Sequence, residues 1–292
     1  MTLLTEYRRS LKRIEVEEMV DLFFYRPLAF LIVKSVYNTK ITPDNLTFAA
    51  IIMGLTGAAL YTPGMPHTTR LGALFIVFFV ILDCSDGQLA RLKKNGTPAG
   101  RLLDGIADYI VTTALFIGIA IGYSRADGAP SNMVILLALS GASIIIQDAF
   151  VDYYRMRFLD IVQQRQDTFQ GGINEYRDEY ERLKKQGGNW FNKGVILLYL
   201  VYSGVQNRLT KRKKSIDYQE VPADIYYRKN RVLVRFWVSI GPSAMRTSLI
   251  ACSLFGRFDI FFWITIGGFN ILALLLWIIQ SLIDRSYLPR AK

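Results

Sequence analysis

Long apolar runs separated by short polar connections dominate the sequence. A helix rises about 1.5 Å per residue, so roughly 20 apolar residues are enough to cross the hydrocarbon core of a bilayer. Six runs reach about this length, at residues 44–63, 70–92, 100–123, 131–155, 232–254 and 258–283. We therefore predict an all-α integral membrane protein with six membrane-spanning helices.

The N-terminal residues follow a different pattern. Apolar side chains recur at helical spacing over residues 3–24, with charged side chains between them. This spacing predicts an amphipathic helix that lies on the membrane surface. Residues 23–38 are apolar but are interrupted by Arg26 and Pro27, so they are expected to be interfacial as well. We assign residues 1–40 to an amphipathic, interfacial region that precedes the six spans.

The rest of the chain divides into three parts. Residues 41–155 form a membrane core with the first four spans, and residues 232–292 hold the last two spans and a C-terminal tail. Between them, residues 156–231 form a basic insertion that is cytoplasmic or interfacial. Inside this insertion, residues 190–205 are apolar but short for a span, which favours an interfacial or packed segment. A seventh span is the alternative.

Composition and charge agree with a membrane protein. Apolar residues make up 51% of the 292 residues, and the net charge is +11. A basic chain can bind nucleic acid, but in membrane proteins Lys and Arg collect on cytoplasmic loops. With six spans, most basic residues fall on one side of the membrane. We therefore expect no nucleic-acid partner, cytoplasmic termini, and a location in the cell (inner) membrane.

Four aspartates lie where the second predicted span gives way to the third. Asp83 and Asp86 are three residues apart and Asp104 and Asp108 are four apart, so each pair lies on one face of its helix. The connection at residues 92–100 is short, which predicts antiparallel neighbouring helices and convergence of the two pairs. A charge inside a bilayer costs about 2.5–3.5 kcal/mol. Four such charges together indicate a functional site, which the charge distribution places on the cytoplasmic side.

Clustered carboxylates repel one another unless a cation lies between them. Oxygen ligands without His or Cys favour Mg²⁺ or Mn²⁺, with Ca²⁺ as a further candidate. Four aspartates can hold two such ions, and two ions commonly bind a phosphate or pyrophosphate. Gly87 and Ala90 leave space beside the helix, and Arg91 offers a planar guanidinium group for a phosphate. Gly100 and Gly105 would allow the two helices to approach closely.

The whole stretch resembles the signature of the CDP-alcohol phosphotransferases, membrane enzymes of phospholipid synthesis. The pattern D-x2-D-G-x2-A-R-x8-G-x3-D-x3-D is complete from Asp83 to Asp108. The segment ITPDNLT, residues 41–47, resembles the ITPNxxT sequence of that family, with Asp44 in place of Asn. The resemblance covers about residues 20–160 and, more loosely, the final two spans.

The resemblance implies roles for the four aspartates. Asp83, Asp86 and Asp104 look like metal ligands. Asp108 looks like a ligand of a second metal ion and also the general base that deprotonates the acceptor hydroxyl. Two divalent ions, Mg²⁺ or Mn²⁺, are the implied cofactors.

The remaining positions of the pattern look like a nucleotide site. Gly87, Ala90 and Arg91 resemble the surface that contacts the cytidine nucleotide, and Gly100 resembles the residue that keeps the two helices close. The implied partners are a CDP-linked donor, an alcohol acceptor and membrane lipid. A homodimer is also expected from the resemblance.

The reaction implied is transfer of a substituted phosphate group from a CDP-linked donor to an alcohol, with release of CMP. CDP-diacylglycerol is the favoured donor, which makes the group a phosphatidyl group. The alternative is an aminoalcohol phosphotransferase that uses CDP-choline or CDP-ethanolamine with diacylglycerol. A divalent-cation transporter is less well supported, because the acids cluster at one side instead of following a path across the membrane. A polyprenyl-type transferase fits poorly, because its DDxxD or NDxxxD pattern is missing from the stretch.

Other charged residues have two interpretations from the sequence. Arg246 follows a kink expected at Gly241-Pro242 and either binds a lipid phosphate or pairs with an acid. Three polar residues on the fourth span could either form hydrogen bonds between helices or line a pocket for the acceptor: Gln147, Asp148 and Asp152. An acceptor that carries its own phosphate would need further cations, for which the candidates are Arg155, Arg157, Arg231 and Arg235.

Overall fold

The protein is helical throughout the part that the structure describes. This computed structural model describes residues 3–125, 132–163, 168–186 and 221–287, together with isolated positions between 193 and 200. No strand occurs in these ranges. The predicted all-α class is therefore confirmed.

The N-terminal region forms several short elements instead of the single helix predicted over residues 3–24. Helix α1, Leu3–Ser10, is followed by a 3₁₀ turn, Ile14–Val16, and by a π-helical segment, Asp21–Tyr25, that continues into α2, Arg26–Val36. The prediction was wrong here because the chain folds back on itself. The buried Glu17 carboxylate accepts a hydrogen bond from the Lys12 backbone N–H at 2.8 Å. It also forms an ion pair with Arg26 at 2.9 Å.

The first four predicted spans correspond to four long helices. They are α3, Pro43–Tyr61; α4, Pro66–Lys93; α5, Pro98–Arg125; and α6, Met133–Val162. Helix α3 begins with a reciprocal cap, because Thr42 Oγ1 accepts from the Asn45 N–H and Asn45 Oδ1 accepts from the Thr42 N–H. The first predicted span, residues 44–63, therefore begins as a capped helix at Pro43.

The C-terminal half contains one further long apolar helix. Helix α7, Thr168–Gln186, is followed by α8, Ala223–Val238, and α9, Pro242–Phe255. The last helix runs from α10, Phe258–Phe262, through a π-helical segment, Trp263–Gly268, into α11, Phe269–Arg285. Within the described ranges, five helices are long and apolar enough to cross a membrane, including this last one, Phe258–Arg285.

The fifth predicted span, residues 232–254, is not one helix. The chain breaks between α8 and α9 at residues 239–241, because Pro242 has no N–H to continue the backbone ladder. Helix α9 has 14 residues, about 21 Å of length, which is too short for a span on its own. The prediction of six continuous spans therefore needs correction to five candidate helices among the described residues.

Helix α3 is the common packing partner of α4 and α5. An added Cβ at Gly57 would lie 2.8 Å from Ile76 on α4, and one at Gly118 would lie 2.3 Å from the Ala58 carbonyl oxygen. The short connection predicted that α4 packs directly against α5. In the structure, both helices pack along α3 instead. The connection still turns sharply, since Lys94 adopts a left-handed conformation with φ of 54°.

Little of the predicted 190–205 segment is described. Ile196 is buried beside Ala99 and Leu183, as a packed segment would be. Most of the segment lies outside the described residues, as do residues 201–220 of the basic insertion. The four-part division of the chain stays a prediction.

The close approach of backbones at the end of α3 gives a stability test. An added Cβ at Gly122 on α5 would lie 2.2 Å from the Tyr61 carbonyl oxygen. We expect Gly122→Ala to destabilise the protein by about 1–3 kcal/mol, because the helices must separate. Thermal unfolding in detergent measures this. In the control Gly141→Ala, the nearest atom is Phe116 Cε1 at 3.7 Å. Equal melting temperatures for the two variants would contradict the packing.

A buried carboxylate connects the N-terminal region to α9. Glu18 accepts hydrogen bonds from the N–H groups of Ser243, at 3.2 Å, and Ala244, at 2.9 Å. It therefore caps a helix that lies more than 200 residues away in sequence. Burial and, to a smaller extent, the neighbouring Asp21 carboxylate raise the pKa of Glu18 to about 8, although the two N–H groups and Arg246 act to lower it.

This raised pKa predicts a stability that falls with pH. The folded protein holds the Glu18 proton up to about pH 8, whereas an unfolded Glu releases it near pH 4.3. The folded state therefore binds more protons between these values, and stability falls as pH rises through them. We expect Glu18→Gln to flatten the fall in melting temperature between pH 5 and 8. A slope identical to that of the original protein would exclude this role for Glu18.

Candidate metal and phosphate site

Three of the four predicted aspartates converge. Asp83 and Asp86, near the C-terminal end of α4, and Asp104, in the second turn of α5, offer carboxylate oxygens that all lie within 4.8 Å of one another. Such an all-carboxylate set suits a hard divalent cation, whose charge would relieve the repulsion between the three groups. The residues present therefore fit a metal ion of the kind predicted from the sequence.

Thr47 orients the most buried of the three carboxylates. Asp86 is 4% exposed, and its Oδ2 accepts a hydrogen bond from the hydroxyl of Thr47, which is itself buried. Outer hydrogen bonds of this kind hold metal-binding carboxylates in place. This role of Thr47 was not apparent from the sequence, although Thr47 is the last residue of ITPDNLT and follows the start of α3 by one turn.

Asp108 has a different partner. Its Oδ1 lies 2.8 Å from Arg246 Nη2 on α9, and the Asp108 side chain is one-third exposed at 33%. Arg246 is buried, with its guanidinium carbon 5.3 Å from the centre of the Phe79 ring. Among the described residues, the converging carboxylates are those of the other three aspartates, and Asp108 is not one of them. Of the two interpretations left open for Arg246, pairing with an acid is the one observed.

Arg91 lies near the C-terminal end of α4, five residues after Asp86. Its Nε donates to the Ser10 carbonyl oxygen at 2.5 Å, so the N-terminal region packs directly on this residue. Its Nη2 is buried and has no hydrogen-bond partner among the described residues. A Cβ at position 87 would lie 3.3 Å from Nη2, so Gly87 leaves room for the guanidinium group. Arg91 thus presents a buried donor that suits a phosphate oxygen.

The other small residues of the pattern have different surroundings. A Cβ at Gly100 would lie 2.9 Å from Asp44 Oδ1, so Gly100 makes room for this carboxylate at the start of α3. Ala90 faces the turn after α4, where its carbonyl oxygen accepts from the Asn95 N–H at 3.3 Å. The expectation for Gly105 was wrong: an added Cβ there would have no described atom within 4 Å, so this glycine permits no close helix approach.

Helix α6 carries three polar residues whose hydrogen-bond partners differ. Gln147 bonds to the Thr265 carbonyl oxygen at 2.9 Å and to Asn270 at 2.8 Å, so interhelical hydrogen bonding applies to this residue. Asp152 pairs with Arg155 at 2.6 Å. Asp148 is different, because its Oδ1 is buried and has no hydrogen-bond partner among the described residues.

The arginines considered for an acceptor phosphate are partly engaged elsewhere. Arg157 forms an ion pair with Asp284 on α11 at 2.9 Å, and Arg155 pairs with Asp152. Arg231 lies over the Tyr227 ring, 5.9 Å from its centre. Three of the four candidate arginines therefore already interact with other side chains.

Comparison with known proteins identifies the class of this site. Residues 40–164, which contain α3 to α6 and all four aspartates, match the CDP-alcohol phosphatidyltransferase family. The family match over residues 40–164 confirms the resemblance carried by the Asp83–Asp108 stretch.

Three individual relatives show how far the similarity extends. The chain is 30% identical over 122 residues to a phosphatidylinositol phosphate synthase of Mycolicibacterium smegmatis, covering 42% of this chain and 54% of that protein. It is 26% identical over 161 residues to a bifunctional IPC transferase and DIPP synthase of Rubrobacter xylanophilus, covering 55% and 34%. A phosphatidylinositol phosphate synthase of Mycobacterium tuberculosis is 33% identical over 88 residues, covering 30% and 40%. The chain thus spans about half or less of the length of these relatives.

The ion pair between α5 and α9 can be tested by stability measurements. We expect Arg246→Met to destabilise the protein by up to about 3–5 kcal/mol, reduced by the partial exposure of Asp108, because it leaves that carboxylate without its partner. The double variant Arg246→Met/Asp108→Asn should recover part of this loss. Thermal unfolding of both single variants and the double variant gives the coupling energy.

An exposed ion pair provides the matched control. Arg257 and Asp259 lie 2.7 Å apart with side chains 59% and 57% exposed. Arg257→Met should change stability by less than about 1 kcal/mol. Additive effects of the Arg246 and Asp108 substitutions would contradict a direct interaction between them.

Proposed function

We propose that the protein transfers a phosphatidyl group from CDP-diacylglycerol to an alcohol, with release of CMP. The observation that carries this proposal is the convergence of the Asp83, Asp86 and Asp104 carboxylates within 4.8 Å beside a buried, unpartnered donor on Arg91. Negative ligands for metal ions next to a cationic donor suit a pyrophosphate. The family match over residues 40–164 supports the same reaction class.

The three converging aspartates would hold one divalent ion, and Asp108 would contribute to a second. The all-oxygen donor set favours Mg²⁺ or Mn²⁺. When bound, such ions offset negative charge on the pyrophosphate of the donor. Thr47 keeps the Asp86 carboxylate in a fixed orientation for this purpose.

The reacting groups lie on either side of this centre. Arg91 binds a phosphate oxygen of the donor through its buried Nη2, with Gly87 and Ala90 allowing the nucleotide to lie close to α4. Asp108 accepts the proton of the acceptor hydroxyl, and Arg246 holds the Asp108 carboxylate in place. The acceptor oxygen forms a bond to the β-phosphorus of the donor, the bond from that phosphorus to CMP breaks, and CMP leaves with the electron pair.

The setting proposed for this reaction is the cytoplasmic face of the cell (inner) membrane. Five described helices are long and apolar enough to cross a membrane, and the aspartates lie near the ends of two of them. A lipid donor could thus reach the site from the bilayer and a polar acceptor from the water phase. A homodimer stays a prediction based on the family resemblance.

A matrix of donors and acceptors tests the reaction. The purified protein with Mg²⁺ or Mn²⁺ is given CDP-diacylglycerol, CDP-choline or CDP-ethanolamine, each with alcohol acceptors or diacylglycerol, and CMP release and lipid products are followed. We expect CMP and a phosphatidyl alcohol from CDP-diacylglycerol. Products from CDP-choline or CDP-ethanolamine with diacylglycerol would favour the aminoalcohol phosphotransferase. Folded protein that releases no CMP from any donor would exclude the enzyme class.

Removal of the proposed base should separate chemistry from binding. Asp108→Asn is nearly the same size but a far weaker proton acceptor, so we expect turnover to fall at least about 100-fold. Binding of CDP-diacylglycerol should largely survive, since Arg91 and the other three aspartates are unchanged. Unchanged turnover would refute the assignment of Asp108.

Metal binding can be followed without activity. At 100 times its dissociation constant, a bound ion stabilises the folded state by about 2.7 kcal/mol. We expect Mg²⁺ or Mn²⁺ to raise the melting temperature, and Asp86→Asn to reduce the increase. Asp152→Asn, which removes a carboxylate outside the group of three, should leave the increase unchanged. A metal response that is the same in all three proteins would place the ion elsewhere.

A further inference from the structure

A cavity of about 190 Å³ lies at the end of the helices opposite to the aspartates. It is surrounded by the C-terminal ends of α3, α5 and α9 and the N-terminal ends of α4 and α10, which contribute Tyr61, Ile119, Ser253, Arg70 and Phe258 to its lining. On α4, Arg70 and Asp86 are 16 residues apart, which is about 24 Å along a helix. Because α4 is a candidate span, the cavity lies at the membrane boundary away from the aspartates.

The interior of this cavity suits hydrocarbon. Two of its polar side chains are already bonded, since the Tyr61 hydroxyl donates to Ser253 Oγ at 2.8 Å and the Ser253 hydroxyl donates to the Leu249 carbonyl oxygen at 2.7 Å. Ile119 and Phe258 add buried apolar surface to the lining. An apolar cavity of this kind holds water poorly and binds apolar groups instead.

Two other polar side chains of the lining keep donors for a ligand. Arg70 is exposed and donates through Nε to the Leu254 carbonyl oxygen at 3.1 Å, which leaves both Nη groups without a partner in the described part of the chain. Tyr123 packs edge-on against Phe258, with ring centres 5.3 Å apart, and its hydroxyl has no described hydrogen-bond partner either. A guanidinium group held in this way suits a phosphate or a carboxylate.

The charge beside the cavity is positive. Arg125 donates to the Thr62 carbonyl oxygen at 3.0 Å, two residues before Gly64 of the lining. Neither Arg125 nor Arg70 forms an ion pair within the described ranges, whereas Arg257 at the same boundary is neutralised by Asp259 at 2.7 Å. The cavity thus combines an apolar interior with an unneutralised cationic mouth, which suits an anionic amphiphile.

We propose that this cavity binds a phospholipid from the membrane leaflet away from the aspartates. Its phosphate accepts hydrogen bonds from Arg70 and Tyr123, and part of one acyl chain fills the cavity. The bilayer supplies such lipids at this boundary. The bound lipid contacts the C-terminal end of α9, which also carries Arg246, and joins it to α3, α4 and α5. A fatty acid shares this chemistry through its carboxylate, so the test includes one. The site is independent of the reaction proposed above.

Photochemical labelling tests the site directly. The full chain, purified in detergent, is irradiated with a phosphatidylglycerol that carries a diazirine on one acyl chain, and the labelled residues are mapped by mass spectrometry. We expect labels on residues of the lining such as Ile119 and Phe258. Unlabelled phosphatidylglycerol should compete, whereas diacylglycerol, which has no phosphate, should compete about tenfold less well.

Substitutions at the mouth measure recognition of the phosphate. Arg70→Gln should lower labelling of the lining about five- to tenfold, and Tyr123→Phe about two- to fivefold, because each variant loses hydrogen bonds to the phosphate. Arg257→Gln is the matched control, since this arginine lies at the same boundary but is paired with Asp259. It should leave the labelling unchanged.

Substitutions on α4 measure filling of the cavity. Thr69→Phe places a ring inside it and should remove the labels from the lining, whereas Thr68→Phe, at the neighbouring position outside the lining, should not. Arg70 is exposed, so Arg70→Gln still tests the site if Thr69→Phe does not fold.

Three outcomes would overturn the proposal. Equal competition by diacylglycerol would show that the phosphate is not recognised. Stronger competition by a fatty acid than by phosphatidylglycerol would assign the cavity to a carboxylate amphiphile. Labels that spread over the apolar helix faces and do not respond to Thr69→Phe would reflect only the bulk lipid around the protein.

Discussion

Electrostatic repulsion among buried carboxylates is the constraint on which the site depends. Asp83, Asp86 and Asp104 bring their oxygens within 4.8 Å of one another at the ends of two apolar helices. Groups so arranged are stable as anions only when positive charge lies between or beside them. The protein supplies part of this charge through Arg246, which reaches Asp108 from a distant helix. A divalent cation suits the remaining group of three.

The helices around this centre are packed to keep the charged groups in place. Glycines let α3 contact both α4 and α5, so the two helices that carry the aspartates are positioned through a common partner. The N-terminal region adds a second layer. Ser10 accepts a hydrogen bond from Arg91, and Glu18 caps the helix that carries Arg246. A region expected to lie on the membrane surface thus also orients two cationic residues of the site.

Some polar side chains near the site have partners in the structure, and others keep a buried atom without one. Gln147 joins α6 to the last helix, and Asp152 pairs with Arg155 on its own helix. Arg91, Arg246 and Asp148 each keep one buried polar atom without a partner among the described residues. Groups of the second kind lower stability unless a ligand binds them. For Arg91 and Arg246, which lie on the helices next to the aspartates, this is a physical reason to assign substrate binding to this place.

Local sequence was sufficient for the features that depend on spacing along one helix. The lengths of the apolar runs predicted five of the helices. The spacing of the aspartates predicted that all four converge, and Asp83, Asp86 and Asp104 do so. These features follow from helical geometry and from the cost of charge in an apolar setting. The family resemblance of the stretch rested on the same spacing.

Tertiary structure alone decided the contacts between residues far apart in sequence. The ion pair of Asp108 with Arg246, the cap of Glu18 on α9 and the hydrogen bond of Thr47 to Asp86 join separate helices. The break before Pro242 and the fold-back around Glu17 also differ from the helices that local periodicity predicts. Hydrophobic periodicity reports which face of a helix is buried, but it does not report which partner covers that face. The sequence by itself therefore determined the cluster of carboxylates that fits a metal ion, and the packing of distant helices decided which charged groups surround it.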